Sequence, residues 1–369
     1  MLSLGAKSSQ GSLTKMIDTF IGWSILLSVT LYMPDVTLAK FSVVYFQFFG
    51  FAFLTICCFT PRERKMTQKE VASSAYLFLL ASLINVVAFK FNILPVACTF
   101  NLAMAIAIIM SMAVHIQDAD KIKKFIVWAA VINCFYLGVQ KLGWNPIINS
   151  EITTGEEGGL MGNAANLSML LAIMLPFVVK RTWIAWPLFF VIGIIQHESM
   201  LVLVCLAYLV IKNQYMMVPA LLGLFALFLF RGKEILESSL GGRIDIWRCT
   251  IEQTFQSPYF GWGLGNKPAV TSVMHHVVEK RPDYVYSSYL QFLFSTGAAG
   301  LIALFYTLKT FFKNVTRSEE SLAVISILIL SIAKYPIESH RLWVLMCACI
   351  ALWMIRFQQK REVAHAGTV

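Results

Sequence analysis

The sequence predicts an all-α polytopic membrane protein. It predicts about twelve transmembrane helices and one large outer loop carrying a short amphipathic helix. Three observations predict this. Of 369 residues, 58% are hydrophobic and 14% charged, with mean hydropathy +0.69, whereas a soluble domain is nearer half apolar and a quarter charged. Apolar runs of about 17–25 residues recur, the length a helix needs to cross a hydrocarbon core of roughly 30 Å. Lipid offers the backbone no hydrogen-bond partners, so such runs must be helices. The ten-residue alternation of a barrel strand is absent.

The spans fall near 17–33, 41–60, 71–89, 96–114, 125–140, 163–179, 183–196, 199–212, 216–230, 286–308, 321–337 and 342–356. The first is longer than a signal-peptide core and lacks a small-x-small cleavage site after it, so it reads as a retained span. Charge sets the topology. With the N-terminus inside, the inner loops hold eighteen of the thirty lysines and arginines and the short outer loops hold five. The other seven lie in the long loop 231–285, which translocates regardless of charge. Both termini are therefore expected inside, with loops 141–162 and 231–285 outside. The net charge of +10 belongs to this membrane asymmetry. No basic run is long enough to track a nucleic-acid backbone, so no nucleic-acid partner is expected.

Seven of the eight cysteines, all but Cys249, fall inside these spans. This is neither a disulfide framework nor a zinc pattern. Three regions are expected: N-terminal transmembrane helices over 1–160, a second transmembrane region over 161–356 that includes loop 231–285, and a cytoplasmic tail over 357–369.

Loop 231–285 is the one sizeable extramembrane unit. Ile244, Trp247, Ile251 and Phe255 recur at spacings of three and four, which predicts an amphipathic helix laid by that face on the membrane or on the helical bundle. Arg243, Arg248 and Glu252 then point elsewhere, with Arg248 able to pair with Asp245 or Glu252 at helical spacing. Ser257-Pro258 ends the helix. The G-x-G-x-G at Gly261–Gly265 follows no strand and lacks the lysine of a phosphate loop, so it reads as a tight turn. The loop 143–162 reads as a short, flexible, acidic connector. Asp118 and Asp120 mimic the acidic pair of nucleotide-sugar enzymes but lie on the inner face beside Lys121, Lys123 and Lys124, so no chemistry is expected there.

The polar island resembles the O-antigen ligase and O-antigen polymerase superfamily. Members are bacterial inner-membrane glycosyltransferases that use undecaprenyl-diphosphate-linked glycans. The family pattern, Arg-x-x-x-Trp followed by Pro-x-x-Gly-x-Gly, is similar to RIDIW at Arg243–Trp247 and PYFGWG at Pro258–Gly263. A second element is similar to Tyr286-Ser287, nine residues, and Gly297-Ala-Ala-Gly300; a third is similar to Gly162-Asn163 with Asn166. The resemblance covers roughly 160–355. Two positions depart from the ligase pattern. Tyr286 stands where ligases open the second motif with histidine, and Gln196-His197-Glu198-Ser199 stands in place of a Ser-Arg pair. Those departures weaken the ligase reading and leave the polymerase reading standing.

The resemblance implies transfer of a glycan from undecaprenyl diphosphate to a sugar hydroxyl. Such a site must place positive charge on the leaving diphosphate and supply a base for the hydroxyl. Arginine suits the first task because its planar fork matches phosphate oxygens and stays charged. The candidate catalytic residues are Arg243, His276 as base, and Tyr286, which is better suited to orienting a phosphate or sugar than to taking a proton. Candidate substrate-binding residues are Arg248, His275, Arg281, Lys334, His340, Arg341 and Glu198, the last also an alternative base. No metal or cofactor is implied. The expected partners are the lipid-linked glycan, membrane lipid and a chain-length regulator protein. The expected location is the bacterial inner membrane with both termini cytoplasmic. The reading is an O-antigen polymerase; a ligase acting on a lipid A-core acceptor is its sibling. A polysaccharide-lipid flippase or transporter is the alternative of another class. Carriers, however, usually show two related halves and midplane polar sites, whereas charge here crowds the outer surface.

Overall fold

A computed structural model describes residues 3–30, 38–58, 60, 69–90, 93–144, 159–161, 164–181, 243–265, 285–333 and 340–366. All regular structure among them is helical. The α-helices are α1 (Ser3–Thr30), α2 (Leu38–Cys58), α3 (Lys69–Ala88), α4 (Ile93–His115), α5 (Ala119–Lys141), α6 (Ala164–Arg181), α7 (Arg243–Thr254), α8 (Ser288–Asn314), α9 (Glu319–Ala333) and α10 (His340–Ala366). Among the described residues, four segments are long and apolar enough to cross a membrane: Pro95–His115, Ala119–Lys141, Ser288–Asn314 and Leu342–Lys360. Phe46–Cys58, Ser73–Ala88 and Asn166–Val178 are shorter apolar helices. The spans expected near 183–196, 199–212 and 216–230 lie outside the described residues, as does most of loop 231–285. α10 runs on to Ala366, so residues expected as a tail continue the helix.

One apolar core joins α1, α2, α4, α5, α6, α9 and α10, with Phe46, Phe53, Met112 and Phe177 fully buried. α1 packs on α5, α4 on α10, and α6 on α9. Small residues let the helices close up: the Phe125 ring fills the space over Gly22, and Met104 Sδ would lie 2.5 Å from a Cβ at Gly50. Outward-facing Trp23, Phe48, Trp128 and Phe135 are exposed, as lipid-facing side chains of a bundle must be.

The end of the bundle that charge predicts to be inner is held by buried polar contacts. Asp18 on α1 accepts from the N–H groups of Gln117 (3.2 Å) and Asp118 (3.1 Å). Asp118 in turn caps α5 by accepting from Lys121 N at 2.9 Å. Lys123 is clasped by Glu320, with Glu319 at 3.6 Å and Asp120 at 3.8 Å. Thus Asp118 and Asp120 shape a helix start and an ion-pair cluster. In the connector expected over 143–162, Gly159–Met161 is a buried 3₁₀ turn, tied to α5 where Gly159 N donates to Gln140 Oε1 at 2.8 Å.

Candidate functional site

α7 confirms the helix expected in the polar island, but it lies on a different face. The residues it buries are Ile246, Cys249, Thr250 and Thr254. Ile244, Ile251 and Phe255, expected against the bundle or membrane, are exposed. The reason is close packing on α8. Cys249 and the two threonines are small, and the threonine hydroxyls bond back to Ile246 O (2.6 Å) and Thr250 O (2.8 Å) on their own helix, so burying them strands no donor. Ile246 and Cys249 join Val285 and Phe294 in a small core, edged by Trp247, Trp262, Tyr286 and Leu290. Trp247 donates its indole N–H to Val285 O at 3.0 Å. The spacing of arginine and tryptophan therefore has a mechanical content here: Trp247 pins α7 to the segment entering α8, and Arg243 sits one turn earlier.

That turn brings Arg243 over Tyr286. The guanidinium carbon lies 5.4 Å from the ring centroid, within the range where a ring face attracts a cation. Tyr286 itself has φ +56°. A bulky side chain pays of order 1–3 kcal/mol for such a backbone, and strain of this kind clusters at functional sites. What holds it is the local bonding. Val285 N donates to Gln291 Oε1 at 3.0 Å, Gln291 Nε2 donates to Ser295 Oγ at 3.3 Å, and Ser287 caps α8 by accepting from Leu290 N. Ser288 adds a buried hydroxyl with no hydrogen-bond partner among the described residues.

The glycine turn after α7 locks into a break in α8. Gly297 has φ 60° and ψ −148°, outside helical geometry. The break frees carbonyls that the turn then uses: Trp262 N donates to Phe294 O (2.8 Å) and Gly263 N to Ser295 O (3.0 Å), while Ala298 N donates to Pro258 O (2.8 Å). The backbones touch so closely that a Cβ at Gly261 would meet Phe294 O and Ser295 C at 2.5 Å. Gly261, Gly263 and Gly265 all have positive φ, the conformation glycine permits.

A residue that motif reading passed over ties this together. Asn85, near the end of α3, is 1% exposed. Its Nδ2 donates to Phe260 O and to Ser295 O, both at 2.9 Å, and its Oδ1 accepts from Leu264 N at 2.8 Å. One amide from the N-terminal helices thereby fastens the glycine turn to α8. The available signal was an amide inside an apolar run, where polar groups are costly and tend to be functional.

Of the other candidates, Arg248 is an exposed residue paired with Glu252, Nε to Oε1 at 3.1 Å. His340 and Arg341 open α10, but their side chains lie outside the described residues. Glu198, His275, His276, Arg281 and Lys334 also lie outside them. Among the described residues, no cluster of three or more His, Cys, Asp or Glu side chains is placed to hold a metal.

The O-Antigen ligase family model matches residues 152–305. No curated protein matches the chain. The matched stretch contains α6, α7, the glycine turn and the broken head of α8, the parts in which Arg243, Trp247 and Tyr286 come together. Over residues 152–305 the chain is thus similar to the O-antigen ligase family, which supports a place in the O-antigen ligase/polymerase superfamily.

Proposed function

We propose that the protein is an inner-membrane glycosyltransferase that polymerises undecaprenyl-diphosphate-linked repeat units of a surface polysaccharide at the outer face of the membrane. The observation that carries this reading is Arg243, the first residue of α7, held beside Tyr286 at the head of α8. A helix N-terminus carries partial positive charge and unsatisfied N–H groups, which favour a phosphate. An arginine placed there adds a full charge and a bidentate donor.

In the proposed reaction an acceptor hydroxyl attacks the anomeric carbon of the lipid-linked glycan. The new C–O bond forms as the bond from that carbon to the diphosphate oxygen breaks. The diphosphate leaves on its lipid carrier, its added negative charge met by Arg243. The hydroxyl proton passes to a base, for which His276 is the candidate, with Glu198 the second choice. Arg281, His275, Lys334, His340 and Arg341 are proposed to supply further contacts to diphosphate or sugar. A chain-length regulator is the proposed protein partner.

Deleting the gene and resolving surface polysaccharide on a gel tests the reading. A polymerase mutant loses the ladder but keeps one repeat unit on the final acceptor. Polymer that accumulates on undecaprenyl diphosphate, with none on the acceptor, would instead assign the ligase reaction.

A further inference from the structure

A second cationic site lies at the end of the bundle that the charge bias assigns to the inside. An open cavity of about 430 Å³ lies between the loop from α8 to α9 and the last turns of α10. Arg317, Arg356 and Lys360 line it, with Thr316, Ser318 and Gln359 as uncharged polar groups. On α10, Arg356, Gln359, Lys360 and Val363 share one face at helical spacing, so the cations converge by construction.

The carboxylates nearby are turned away or occupied. Glu319 and Glu320 face Lys123 in the ion-pair cluster, and Glu362 accepts from Gln358 at 3.1 Å. No carboxylate lines the cavity among the described residues, and no ion pair engages Arg317, Arg356 or Lys360 there. Three like charges gathered round one space, without an internal counter-ion, call for an external anion.

The setting selects which anion. Lys360 ends the apolar segment Leu342–Lys360, so the cavity opens where hydrocarbon gives way to headgroups. Val363, which lines the cavity, is exposed and offers apolar surface beside the charges. A soluble phosphate has no use for that surface; an acyl chain does. We infer that this cavity binds the phosphate of an anionic phospholipid headgroup from the inner leaflet. The site is separate from Arg243 and does not depend on the glycosyltransferase reading.

The test uses the full-length protein purified in mild detergent and examined by native mass spectrometry, titrated with phosphatidylglycerol or with phosphatidylcholine. Juxtamembrane cations contribute about fivefold in affinity each for anionic lipid. Phosphatidylglycerol should therefore bind at least about tenfold more tightly than phosphatidylcholine, and millimolar inorganic phosphate should not displace it. The three side chains are exposed, so neutralising them leaves packing intact. Arg317→Gln, Arg356→Gln and Lys360→Gln should each lower the preference by about fivefold, and the triple variant should abolish it. The charge-keeping set Arg317→Lys, Arg356→Lys and Lys360→Arg should retain it. So should a control that removes Lys124 and Lys309, exposed cations outside the cavity. Equal affinity for the two lipids, the same loss in that control, or displacement by inorganic phosphate would each overturn the assignment, the last in favour of a soluble phosphate.

Discussion

The guanidinium of Arg243 rests on the face of the Tyr286 ring, 5.4 Å from its centroid. The contact joins the first residue of α7 to the residue that precedes the cap of α8, and it gives the two side chains different tasks. In the proposed reaction Arg243 supplies the charge, and the ring holds that charge in place. Arg243→Ala should abolish polymer formation while the protein still inserts, and Arg243→Lys should rescue little, since an ammonium lacks the planar fork. Tyr286→Phe keeps the ring and should stay within about threefold of normal. Tyr286→Ala loses a contact worth about 0.5–2 kcal/mol and should fall roughly tenfold. The measurement is polymer formed per inserted protein. Near-normal activity in Arg243→Ala would remove the central residue of the proposal.

Asn85 should matter as much as residues inside the family-matched stretch, though it lies well before it. Asn85→Ala leaves Leu264 N and Phe260 O without their buried partner, at about 1–3 kcal/mol for each stranded group; Ser295 O keeps Gly263 N. Thermal unfolding in detergent should shift down and polymer formation should fall. Asn85→Asp, equal in shape, should not rescue, because it presents acceptor oxygens to two carbonyls. A variant with normal unfolding and normal activity would mean that the clamp is dispensable.

Periodicity found α7, because a break in hydropathy is a local signal, although the helix ends at Thr254, three residues before the expected stop at Ser257-Pro258. It misassigned the buried face because hydrophobicity ranks Ile244, Ile251 and Phe255 above Cys249, Thr250 and Thr254, while close packing on α8 favours the smaller row. The glycine turn was legible as a turn; its seat was not, since Gly297-Ala-Ala-Gly300 also reads as ordinary helix packing. Asn85 has no motif and acquires meaning only when the glycine turn, some 175 residues away in sequence, meets it. Lys123 likewise reads only as one of a run of charges beside Asp118 and Asp120 until α9 brings Glu319 and Glu320 to it.

The seat of the turn predicts a graded series of glycine substitutions. Gly261→Ala places a Cβ 2.5 Å from backbone atoms of α8, and Gly297→Ala places one 2.7 Å from Pro258 O. Neither backbone can yield without parting the turn from the break, so both should abolish activity and lower stability by several kcal/mol, roughly the scale of overpacking added to a positive φ. Gly263→Ala meets only the Phe89 ring at 3.4 Å and should be milder. Gly138, inside α5 with open space around it, is the contrast: Gly138→Ala should be neutral or stabilise by about 0.5–1 kcal/mol. Unfolding midpoints of the four variants give the order, and a Gly261→Ala protein as stable as Gly138→Ala would contradict the described contact.

Cys249 reports on both the packing and the sidedness of α7. It lies on the buried face, 6% exposed, and burial pushes its thiol above the usual range, with the Glu252 carboxylate adding to the rise. A raised value means less thiolate at neutral pH, and the thiolate is what reacts. Cys249 should therefore resist a charged maleimide at pH 7 in intact cells, with labelling that rises only as the medium becomes alkaline. Asp245 is on the same helix but exposed, so Asp245→Cys should label readily from outside. Modification mapped by mass spectrometry distinguishes the cases. Equal labelling at both positions would dislodge α7 from α8. Labelling of Asp245→Cys only after the cells are opened would place the helix on the inner side, where it could not meet a glycan presented at the outer face.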